Sequence, residues 1–62
     1  MEEDAVRRLR HDLRSPLMVI SGFARLLGGD RPLNDDERQE FAGRIEEACE
    51  EMKRTIDEFG AA

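Results

Sequence analysis

The feature that most constrains this chain is a stripe of apolar residues, Val6, Leu9, Leu13, Leu17, Ile20, Ala24 and Leu27, recurring at spacings of three and four. At about 100° per residue all of them fall within about 40° of Leu13, a narrow band of the kind that seals one helix against another. A second stripe follows the same rule through Phe41, Ile45, Ala48, Met52, Ile56 and Phe59. The pattern therefore reads as all-α. It predicts helix 1 over about residues 3–27, a turn over about 28–34 and helix 2 over about 35–59, within a single domain, 1–62.

The element ends carry their own signals. Gly28-Gly29 can end helix 1, because glycine accepts the left-handed conformation of a C-cap. Asn34 can cap helix 2, with Glu37 three residues later completing a capping box. Asp35 and Asp36 add negative charge at the positive end of that helix's dipole. Gly60 reads as a stop. The short connection is the kind that joins antiparallel neighbours, so the expected unit is an antiparallel two-helix hairpin.

A 62-residue hairpin buries too little surface to be comfortably stable alone. Cys49 is the only cysteine, so no disulfide helps, and one His with one Cys cannot make a structural zinc shell. The remaining route is a second copy: two hairpins close their apolar seams into a homodimeric four-helix bundle. Charge agrees with mutual packing of the helices. Residues 6–28 hold five Arg against one Asp, a balance of +4, and residues 34–62 hold four basic and ten acidic groups, a balance of −6. Net acidity (−5) argues against nucleic-acid binding. No apolar run nears the roughly 20 residues of a membrane span, and no signal peptide is visible. A soluble, cytoplasmic setting is expected, compatible with a membrane anchor elsewhere in a longer parent protein. Cys49 and Met52 are assigned no chemistry.

His11, the only histidine, belongs to neither stripe. It lies about 160° from Leu13 on the helical wheel, which largely excludes a hydrogen-bonded core role. Imidazole can serve near neutral pH as a nucleophile or proton carrier. Asp12 beside it can accept a hydrogen bond or proton from one ring nitrogen, although a salt bridge from Asp12 to Arg8 is equally cheap. Ser15 sits one turn on, on the same face. Pro16 would by itself suit the first turn of a new helix after a Ser cap. The stripe runs across it in phase, so a continuous helix with a kink fits better, its backbone loosened beside His11. Further along the His11 face come Met18, Val19, Gly22 and Leu26, an aligned apolar strip that suggests a partner site, or extra core if the bundle is rotated. Gly22 costs about 1 kcal/mol against Ala in a helix, which a close backbone approach would explain. Phe23 lies nearer the core flank. Arg7, Arg8, Arg10 and Arg14 around His11 could attract phosphates or an acidic partner, or simply be solvated.

The run His11-Asp12-Leu13-Arg14-Ser15-Pro16-Leu17, with Ile20, Gly22, Phe23, Leu26 and Leu27, closely resembles the phosphoacceptor box of sensor histidine kinases. The similarity extends from about Ala5 to Leu27. It continues more weakly through Ile45-Glu46-Glu47-Ala48 and Met52-Lys53-Arg54-Thr55-Ile56-Asp57-Glu58, which resemble the second helix of that family's dimerisation and histidine-phosphotransfer domain. The resemblance implies that His11 is phosphorylated, that Asp12 is the activating base, and that the phosphoryl group passes to an aspartate of a response regulator receiver domain. It implies that Ser15 stands where Thr or Asn usually positions water for phosphatase activity, and that the Met18–Leu26 strip helps select the regulator. No glycine-rich phosphate cradle is visible, so no cofactor is expected on this chain. ATP and Mg²⁺ are expected through a separate catalytic ATP-binding domain, without which the chain should not phosphorylate itself. Two other readings stay open: a stand-alone histidine phosphotransfer protein, and a purely structural helical dimerisation module.

Overall fold

The computed structural model describes residues 2–61, with side chains over 3–60. Two helices fill it: α1, Glu2–Leu27, and α2, Asp35–Ala61, packed side by side as a hairpin. The body measures 48 × 17 × 10 Å, two helices wide and one helix thick. No strand occurs among the described residues.

α1 runs unbroken through Pro16. The proline is more than a tolerated defect, because its side chain is fully buried, facing α2. Leu9, Leu13, Ile20 and Phe23 are half-buried on the same side. On the wheel these residues lie from about 0° to 80° to one side of Leu13, and Val6, Leu17 and Ala24 lie about 20–40° to the other. The stripe thus splits. One half seals against Phe41, Ile45, Ala48, Met52 and Thr55 of α2, with Ala48 itself buried. The other half stays open: Leu17 and Ile56 are each 51% exposed, and Val6 and Phe59 are exposed too. One helix cannot cover the whole stripe of another, which is why residues placed on one seam by periodicity do not share one environment.

Phe23 and Phe41 stack near the turn, ring centroids 5.2 Å apart and tilted by 39°, a geometry worth about 0.5–1.5 kcal/mol beyond the area it buries. The hairpin exposes 5364 Å² for a mass of 7.1 kDa, against about 4,100 Å² for a compact monomer of that size. A body two helices wide and one thick cannot be as compact as a globule of that mass, and part of what it exposes is the apolar flank.

α2 starts on the reciprocal cap. Glu37 N donates to Asn34 Oδ1 at 2.7 Å, Asn34 N donates to Glu37 Oε1 at 3.1 Å, and Arg31 reaches the same glutamate at 3.6 Å. The other ends differ from expectation. No glycine among the described residues has positive φ, so α1 does not finish in a left-handed cap. Gly28 N donates to Ala24 O at 3.0 Å and Gly29 N to Leu26 O at 3.4 Å, a tightened last turn that serves the terminal carbonyls instead. A Cβ on either glycine would meet only ordinary contacts at 3.4–3.7 Å. Gly60 does not stop α2, which continues to Ala61; a lone glycine weakens a helix by only about 1 kcal/mol. On the outer face Lys53 donates to Glu50 at 3.1 Å. That hydrogen bond and the Glu50 charge hold the ammonium above its ordinary range, with little effect on stability at so exposed a pair.

Candidate functional site

His11 sits in the first half of α1, its side chain 86% exposed and turned away from the seam. The helix fixes this by phase alone, because Leu9 and Leu13 on either side are drawn toward α2. Asp12, half exposed, places Oδ1 at 3.3 Å from His11 Nδ1. The carboxylate has thus taken the imidazole as its partner, not Arg8. With Nδ1–H donating to Asp12, the lone pair of the neutral ring resides on Nε2, which has no hydrogen-bond partner among the described residues.

Ser15, one turn on, shares an open hollow of about 430 Å³ with His11, Arg14, Met18 and Val19. The strip then continues into a second hollow of about 210 Å³ formed by Val19, Gly22, Phe23 and Leu26. Met18 is 67% exposed, and Val19 and Leu26 are exposed as well, so in the hairpin this strip is surface and not additional core. Nothing lies within 4 Å of where a Gly22 Cβ would be; the glycine leaves backbone open to approach. Pro16 is set apart from this group, its ring turned inward while Ser15 and Leu17 are exposed.

A third hollow, about 270 Å³, brings α2 into the site. Ser15, Pro16, Val19 and Phe23 line it from one side, and Arg44, Glu47, Ala48 and Glu51 from the other. These α2 residues carried no separate signal in the sequence. Their place follows from Ala48 facing α1, since Arg44 and Glu51 lie one turn either side of it; helix rotation had to be known first. Among the described residues no group of three or more His, Cys, Asp and Glu is placed to hold a metal ion. No helix among them is long and apolar enough to cross a membrane.

An exposed imidazole with a carboxylate at Nδ1 and an open hollow beside it can, in the Nδ1–H tautomer, accept an electrophile at Nε2 and pass a proton at Nδ1. Residues 1–59 match the family described as His Kinase A (phospho-acceptor) domain. Sensor histidine kinase YcbM of Bacillus subtilis (strain 168) is 31% identical over 51 residues, 82% of this chain but 16% of that protein. The chain therefore spans about a sixth of the length of this relative. No solved structure matches it significantly.

Proposed function

The chain belongs to the His Kinase A (phospho-acceptor) domain family, and from that premise we propose that it is the dimerisation and phosphotransfer domain of a two-component sensor histidine kinase, with His11 as phosphoacceptor. The observation that carries the reading is the exposed His11 ring with Asp12 on Nδ1 and an open Nε2. The donor is ATP with Mg²⁺, held by a separate catalytic domain and not by this chain. The Nε2 lone pair forms a bond to the γ-phosphorus, the bond from that phosphorus to the bridging oxygen breaks, and ADP leaves with the electron pair. Positive charge builds on the ring as this happens, and Asp12 takes the Nδ1 proton and releases it to water, returning to carboxylate.

In the second step a carboxylate oxygen of a response regulator receiver domain attacks the same phosphorus. The N–P bond breaks, its electron pair returns to Nε2, and the ring regains its Nδ1 proton from water through Asp12. The Met18, Val19, Gly22 and Leu26 strip receives the regulator, and Gly22 lets it approach the helix backbone. Ser15 offers a hydroxyl beside His11 for positioning water in the reverse, dephosphorylating direction. Pro16 leaves the Asp12 carbonyl without its helical N–H, a weak point about which α1 bends when the catalytic domain reaches His11.

A second copy covers the open flank at Val6, Leu17 and Ile56, giving the homodimeric four-helix bundle. The setting in this reading is cytoplasmic. The test is transfer: protein charged with labelled phosphoryl group is mixed with separate receiver domains. Label moving from His11 to a receiver aspartate supports the reading, and retention of label against every receiver would reduce the chain to an acceptor without a relay role.

A further inference from the structure

Four arginines lie near His11, yet only Arg14 lines the hollow that His11 itself lines. Arg7 is drawn to Asp4 at 3.7 Å, and Arg7 and Arg10 line a different hollow with Glu3 and Val6. Arg8 is three residues from His11, as Arg14 is, but helix geometry separates them. Side chains lean toward the N-terminus and cover the turn before their own Cα. Arg14 therefore leans back over the turn of His11, whereas Arg8 leans away from it. Arg14 also makes none of the ion pairs found among the described residues, so its guanidinium is unengaged.

A phosphoryl group on His11 Nε2 would bring about two negative charges to a ring whose other nitrogen, Nδ1, already faces Asp12 Oδ1 at 3.3 Å. The like charges on the two sides of the ring repel, and a cation beside the phosphoryl group offsets that repulsion. Guanidinium offers parallel N–H donors matched to phosphoryl oxygens. We propose that Arg14 holds the phosphoryl group on His11, its guanidinium bonding the oxygens and offsetting the Asp12 charge. This rests on His11 being the acceptor, and it adds the group that stabilises the charged state.

The test loads the full chain with phosphoramidate, a small nitrogen-linked phosphoryl donor that needs no catalytic domain. His11 is the only histidine, so one phosphohistidine ³¹P signal is followed through a pH titration, with helix content checked by circular dichroism. In Arg14→Gln the phosphoryl ionisation should move up by about half a unit to one unit relative to wild type, the size expected for losing a nearby cation at an exposed site. Arg14→Lys should fall between, and Arg8→Gln should match wild type. An unshifted Arg14→Gln titration, or an equal shift in Arg8→Gln, overturns the assignment. Because charging is chemical, this result stands apart from whether His11 accepts phosphate from ATP, which is read separately with a catalytic domain.

Discussion

His11 Nδ1 stands 3.3 Å from Asp12 Oδ1, although neighbouring helical residues point about 100° apart. The pair is long against the about 2.7–2.9 Å of a charge-assisted bond and faces water, so by itself it holds the ring loosely. What it offers is an acceptor for a proton on Nδ1. Asp12→Asn keeps the shape but cannot take that proton. It should slow phosphorylation of His11 by about 10²–10⁴-fold, measured as initial labelling rate with a separate catalytic domain. Asp12→Glu should retain much of the rate, and an undiminished rate in Asp12→Asn would remove the base from the account.

Pro16 and Ala48, the two buried side chains among the described residues, make a second test. Pro16→Ala restores a helical N–H and removes a residue about 3 kcal/mol worse than Ala in a helix interior, while losing roughly 1.5–3 kcal/mol of ring burial. Thermal unfolding should therefore be nearly unchanged, or slightly later. Phosphorylation by the catalytic domain should nevertheless slow, because the bend is stiffer. An unchanged transfer rate would sink the hinge role.

Adjacent residues separate the two apolar surfaces. Leu17 lies on the open flank assigned to the second copy, and Met18 on the His11 face. Leu17→Glu should weaken self-association at least about tenfold, the effect of burying an unpaired carboxylate, in sedimentation equilibrium. Met18→Glu should leave association intact and slow transfer to the regulator. The opposite pattern would exchange the two surfaces.

The Asn34–Glu37 cap is a local prediction about stability. Asn34→Ala should cost about 1 kcal/mol in urea unfolding. Adding Glu37→Ala should cost less than its single effect, since the two bonds are reciprocal. Strict additivity would mean the box is not acting as a unit.

Much of this arrangement was legible in the residues themselves. The helical period placed His11 outside the seam and carried α1 through Pro16, and the Asn34–Glu37 capping signal marked the start of α2 at Asp35, because each of these depends only on local spacing. What spacing does not contain is the rotation of one helix against the other. That rotation put the Pro16 ring inside the seam, left Leu17 on an open flank, and brought Arg44, Glu47 and Glu51 beside Ser15. The left-handed ending expected at Gly28-Gly29 failed for a related reason. Glycine permits that conformation without requiring it, and a tightened last turn met the same carbonyls.

The central claim is that His11 is the phosphoacceptor, and labelling tests it most directly. The chain is incubated with a separate histidine kinase catalytic domain, Mg²⁺ and γ-labelled ATP, beside a His11→Gln variant. The account predicts acid-labile, base-stable label on the wild-type chain and none on the variant. Label that persists in His11→Gln, or no label on the wild type with any catalytic domain, would contradict it.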